Sequence, residues 1–174
     1  MQNQVEILDS VQAAMPHPTV FVPVEKVENP ELKKLLDYWK EKRGGRGMPT
    51  RADVCPQDLR TALKTLQLYD VIDGGEDFYV RIMGGTVSGT FDFNPNGHRL
   101  SEHAGSQSGL LRVLQRLVRE QIPLICRFHR TVSEGLTVHS TSLLLPLGED
   151  GAITQILGQS VLREEWMHEK RVRA

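Results

Sequence analysis

Between Leu124 and Leu162 the chain alternates three β-prone runs with very short connections. The runs are Leu124–Val132, Thr137–Leu147 and Ile153–Leu162, and the turns are Ser133-Glu134-Gly135 and Gly148-Glu149-Asp150-Gly151. Links this short cannot return a strand to a parallel start, so the three strands must be antiparallel neighbours. Because side chains alternate across a strand, Leu124, Cys126, Phe128, Arg130 and Val132 share one face. Ile125, Arg127, His129 and Thr131 share the other, and the more apolar first set predicts the inward side.

A second antiparallel pair precedes these strands. Leu66–Ile72 and Phe78–Met83 flank Asp73-Gly74-Gly75-Glu76-Asp77, a turn whose glycines let neighbouring strands reverse. In the second run, strict alternation places Tyr79, Arg81 and Met83 together and Phe78, Val80 and Ile82 opposite them. Gly84, Gly85 and Gly89 then loosen the backbone, and Asn94-Pro95-Asn96-Gly97 marks another turn.

Two helices complete the plan. Asn29 supplies an N-cap oxygen, Pro30 sits where its missing N–H matters least, and Glu31 complements the helix dipole. Leu32, Leu35, Leu36 and Trp39 then follow helical spacing until Gly44-Gly45, and Pro56 heads a short helix through Leu63. The other long helix is predicted over Gly109–Glu120, with Leu110, Val113, Leu114, Leu117 and Val118 inward and Arg112, Arg116 and Arg119 in water. Pro123 closes it. This order predicts an α+β fold, an antiparallel sheet of about five strands with flanking helices.

Residues 1–28 read as an N-terminal arm, 29–162 as the folded domain with its N-terminal helical extension, and 163–174 as a charged tail. Prolines at 16, 18 and 23 favour extended backbone in the arm, where Val20, Phe21, Val22 and Val24 would be exposed alone. That exposure predicts a homodimer. A net charge of -1 supplies no whole-chain field for nucleic acid or anionic membrane. Cys55 and Cys126 make no disulfide framework and no Cys-x-x-Cys pair. The start of the chain lacks the basic and apolar regions of an export signal, and no run approaches the roughly 20 apolar residues of a membrane span. A cytoplasmic address is therefore expected.

Several segments, taken in order, resemble the PAS fold, and specifically the bacterial single-domain PAS_5 family. They are LLDYWKEKRGGRGMPTRADVCPQDLR (Leu35–Arg60), LQLYDVI (Leu66–Ile72), FYVRIMGGTV (Phe78–Val87) and NPNGHRLSE (Asn94–Glu102). The resemblance implies a cupped sheet that holds a small ligand or a signalling partner and reports through dimer or helix contacts. Trp39, Arg51, Asp53 and Arg81 match the family's signature positions, with Gly84 and Gly97 in its motifs. Arg51 and Asp53 are expected to pair and fix the loop after the first helix. No kinase, cyclase or helix-turn-helix segment is recognisable, so any signal is expected to pass by contact.

Periodicity places Val80, Ile82, Leu114, Leu117, Phe128, Leu143 and Ile156 on candidate inner faces around an apolar cavity, with Phe91 beside them. Arg81 is the charged candidate: facing inward, it would need a protein carboxylate or an anionic ligand. Gly84-Gly85-Thr86-Val87-Ser88-Gly89 lacks the second glycine of a dinucleotide loop and the lysine of a P-loop. Gly105-Ser106-Gln107-Ser108-Gly109 has Gln107 where a nucleophile elbow needs Ser. A PAS-like pocket can hold haem or a metal through imidazole, which singles out His98, His103 and His139, although their spacing matches no zinc motif. The alternative to a regulatory binding domain is a small enzyme using one of these histidines as its acid–base group; no catalytic set is assigned, because no nucleophile–base pair can be placed.

Overall fold

The computed structural model describes residues 20–166. Residues 1–19 of the arm and 167–174 of the tail lie outside the described residues. Six strands form one antiparallel sheet in the order β1-β4-β5-β6-β2-β3. They are β1 Val20–Val22, β2 Leu66–Ile72, β3 Asp77–Met83, β4 Leu124–Ser133, β5 Leu136–Glu149 and β6 Ala152–Trp166. The helices are α1 Pro30–Arg43, a one-turn α2 Gly85–Ser88, and α3 Ala104–Glu120.

The strand beyond the expected five comes from the arm. Val20–Val22 pairs with Ile125–Arg127 at the edge of the sheet, so Phe21 packs against the chain's own core. The exposed arm side chains that motivated a dimer are therefore half-buried at Phe21, Val22 and Val24 within a single chain.

Helices cover both faces of the sheet. In α1 the Asn29 side chain caps the amides of Glu31 and Leu32 at 2.9 and 3.2 Å, and Gly44 ends the helix at φ 56°. Its buried stripe is Leu32, Leu35, Leu36 and Trp39, each contributing about 1.5–3 kcal/mol when fully enclosed. The Trp39 indole N–H donates to the Pro146 carbonyl at 2.8 Å, tying α1 to β5. On the opposite face the Arg116 guanidinium of α3 lies 4.3 Å from the Phe21 ring centroid, and Phe21 pairs with Cys126. Thus α3 lies over the Cys126 side.

Alternation along β3 is broken. Tyr69 pairs with Val80 but Leu68 pairs with Ile82, so Arg81 is the extra residue of a β-bulge. Ile82 consequently moves to the side opposite Val80 and is 42% exposed, while Met83 turns inward and is buried. The face-sharing of Tyr79, Arg81 and Met83 fails for the same reason.

The chain leaving β3 is clasped to β2. A Cβ at Gly84 would lie 2.3 Å from the Leu63 carbonyl oxygen, so only glycine fits while its amide donates to the Leu66 carbonyl at 2.8 Å. The Asn94–Gly97 turn then folds back on β3. Asn96 accepts from the Met83 amide at 2.6 Å and donates to its carbonyl at 3.1 Å. Gly97, at φ 82°, donates to the Val80 carbonyl, and the Val80 amide donates to the His98 carbonyl, both at 2.9 Å.

Candidate functional site

The site grows from the strands that meet at the middle of the sheet. Residues paired in register share a face. Gln67, Tyr69, Ser142, Ser160 and Cys126 therefore line up on the α3 side. The first four form a buried hydrogen-bond chain that continues to the half-buried Ser140. The Tyr69 hydroxyl donates to Gln67 Oε1 at 2.8 Å, and Gln67 Nε2 donates to the Ser160 hydroxyl. Ser160 and Ser142 oxygens are 2.7 Å apart, and Ser142 and Ser140 oxygens 3.1 Å apart. Either member of each serine pair can donate, so the chain has more than one hydrogen-bond polarity. Burial pushes the Tyr69 phenol and the Cys126 thiol up, keeping both neutral.

Around this chain the predicted cup residues divide. Val80, Leu114, Leu117 and Ile156 are buried with Tyr69 and Phe78. Leu143 is equally buried but pairs with Ile125 and Gln159, which puts it on the α1 face, because one position separates it from Ser142. Phe128 and Phe91 are half-buried at the margin of the core. There the Arg130 guanidinium lies 3.9 Å from the Phe91 centroid, and burial lowers its pKa.

On the other face of the same strands is a cleft of about 490 Å³. Its residues form cross-strand rows: Arg127, Thr141 and Val161; Phe128, Ser140 and Leu162; and His129, His139 and Arg163. The first and third rows face the cleft and carry its cationic groups. The middle row forms its floor, with side chains toward α3. His139 Nε2 is 2.7 Å from Glu165 Oε2, and the His129 and His139 ring centroids are 6.0 Å apart.

The signature residues hold the frame. Arg81 Nε donates to Asp70 Oδ2 at 2.9 Å, with Arg81 56% exposed, and Asp70 also accepts from Gln155 Nε2 at 2.6 Å. The guanidinium thus meets a carboxylate of the protein at the bulge, on the face opposite the buried chain. Arg51 and Asp53 do not pair as expected, because each has a nearer partner. Arg51 donates to the Val54 carbonyl at 2.9 Å, while Asp53 caps Thr50 and meets Arg46 at 2.9 Å.

Of the imidazoles considered for haem or metal, His139 stands on the cleft face, whereas His98 and His103 come together beside Glu102. Neither Gln67 nor the serines are among the residues singled out from sequence. Gln67 carries a signal, as a lone polar residue between Leu66 and Leu68, whereas Ser140 and Ser142 lie within the polar run His139–Ser142, where nothing distinguishes the buried hydroxyls.

No helix among the described residues is long and apolar enough to cross a membrane. No curated protein matches the chain. Among solved structures, a sensory box histidine kinase/response regulator from Burkholderia thailandensis E264 is similar at 12% identity and a TM-score of 0.37, over 67% of this chain and 87% of that one. The PAS domain family, PAS_5, matches residues 27–161, from just before α1 into β6. The chain belongs to the PAS domain family.

Proposed function

We propose that this protein is a cytoplasmic sensory and regulatory PAS domain that binds an anionic amphipathic ligand, or an acidic segment of a signalling partner, on the outer face of β4–β6. The observation that carries the reading is the construction of β5 and β6. They contribute cationic residues to a cleft on one face and an unbroken buried hydrogen-bond chain on the other. The volume is in the range of small-molecule sites, roughly 300–1,000 Å³. Arg127, Arg163 and the two histidines supply donors suited to carboxylate, sulfonate or phosphate groups.

Signalling follows from geometry. The row Phe128–Ser140–Leu162 is the cleft floor, and Ser142 and Ser160 pair on the same side one step along. An occupant that changes the spacing of β5 and β6 acts directly on that hydroxyl pair, and through Gln67 on Tyr69 in the core. A chain with alternative polarities can settle into one arrangement when empty and another when filled. The reading is binding without catalysis: Tyr69 and Cys126 are sealed and neutral, far from a nucleophile's requirements. A second copy of the chain is among the partners proposed, and light scattering at twice the chain mass would support it.

The test uses the anionic amphipathic probe 8-anilino-1-naphthalenesulfonate with the folded full-length chain. Saturable binding is expected, weakened at least about tenfold by Arg127→Glu with Arg163→Glu, since a tenfold loss is only about 1.4 kcal/mol. Unchanged affinity in that variant contradicts the reading.

A further inference from the structure

The segment between the Asn94–Gly97 turn and α3 brings together three side chains with ligand chemistry. His98, Glu102 and His103 each offer one ligand atom, and these atoms lie within 4.8 Å of one another. His98 Nδ1 and Glu102 Oε2 are already 2.9 Å apart. Around a four-coordinate ion with bonds near 2 Å, neighbouring ligand atoms stand about 3.3 Å apart. Small rotations of these side chains therefore suffice to close on an ion.

The backbone that carries them is fixed. The His98 carbonyl accepts from the Val80 amide at 2.9 Å, and Leu100 is fully buried. The Ser101 amide and hydroxyl donate to the buried Asp77 carboxylate at 3.2 and 2.6 Å, and the Glu102 amide donates to the Arg99 carbonyl at 3.3 Å. The His103 ring stacks on Phe93 at 3.8 Å, and Phe91 stands edge-on to Phe93 at 5.9 Å. Such an aromatic wall orients the imidazole and lowers the local dielectric on that side.

We propose that His98, Glu102 and His103 form a site for a zinc-class divalent transition-metal ion, with three protein ligands and an open fourth position. Two imidazoles and one carboxylate suit zinc, whereas calcium and magnesium require mostly oxygen ligands in larger number. The open position takes water, an anion or a side chain from a partner. The ion joins His98, in the turn hydrogen-bonded to β3, with His103, the N-cap residue of α3, so occupancy stiffens the junction between sheet and helix. This site is separate from the cationic cleft, and its existence does not rest on that binding reading.

The test is titration of the untagged, metal-free full-length chain with Co²⁺, a spectroscopic stand-in for zinc. The expected result is about one equivalent bound, visible d–d absorption, and displacement by Zn²⁺. His98→Ala and His103→Ala should each abolish the absorption, and Glu102→Gln should weaken binding at least about tenfold, since losing even a group that only orients a ligand costs about 10–100-fold. His98 and Glu102 are exposed, so their variants should retain the wild-type circular dichroism. A double His129→Ala, His139→Ala variant should still take up its single equivalent. The proposal is overturned if wild type shows no saturable uptake. It is equally overturned if uptake survives in His98→Ala with His103→Ala, or disappears in the His129→Ala, His139→Ala variant.

Discussion

Ser142 and Ser160 face each other across β5 and β6 with their hydroxyl oxygens 2.7 Å apart, both almost sealed from solvent. Ser160 also receives the Gln67 amide, so its removal leaves two buried polar groups short of a partner. Ser160→Ala should destabilise the domain by about 1–3 kcal/mol, and Ser142→Ala by less. The double variant should fall short of the sum, because the two side chains share one bond. Urea unfolding measures all three, and losses within about 0.5 kcal/mol would remove the chain's structural importance.

Gly84 sets the exit from β3. Its missing Cβ leaves room for the carbonyls of Leu63 and Lys64, which would stand 2.3 and 2.5 Å from an added methyl. Gly84→Ala should lower stability by about 1–3 kcal/mol or more, as for other forced overpacking. Gly45→Ala, with nothing within 4 Å, should change it by under about 0.5 kcal/mol. Equal melting temperatures for the two variants would contradict the close approach.

Asp53 gives the stability an acid limb. Hydrogen bonds from the Thr50 amide and hydroxyl, aided by Arg46, hold its carboxyl below the usual carboxylate range. A group with a depressed folded pKa contributes fully above its unfolded value, about 3.9, and loses that contribution as pH falls through the folded one. Asp53→Asn should therefore melt below wild type at about pH 7, and the gap should narrow below about pH 4. Melting curves across that range check it; a constant offset would assign the stabilisation elsewhere.

Much of the fold was legible because local signals agreed with tertiary packing. Asn29, Pro30 and Gly44 mark α1, and the short turns after Val132 and Leu147 force the antiparallel order. The family motifs led to the right fold. The start of α3 was less legible. It begins at Ala104, where Gly105, Ser106 and Ser108 have weak helix propensity, about 0.5–1 kcal/mol per residue below Ala, and the longer amphipathic helix overrides them. The bulge at Arg81 was invisible, because the alternation of Phe78–Met83 looks regular and only pairing with β2 reveals the extra residue. That single slip moved Ile82 out of the cup. The proximity of His98, Glu102 and His103 depends on the turn docking against β3, a contact that no spacing rule encodes.

The central claim, that an occupant of the outer cleft is felt in the core, is tested most directly by nuclear magnetic resonance during titration with 8-anilino-1-naphthalenesulfonate. The amides of Arg127, His139 and Arg163 should shift together with the Gln67 side-chain amide and the Ser160 backbone amide, all following one binding curve. In Ser142→Ala the cleft resonances should still move while the Gln67 response shrinks. Saturable shifts at Arg127, His139 and Arg163 in the wild-type protein, with Gln67 and Ser160 unmoved, would contradict the account.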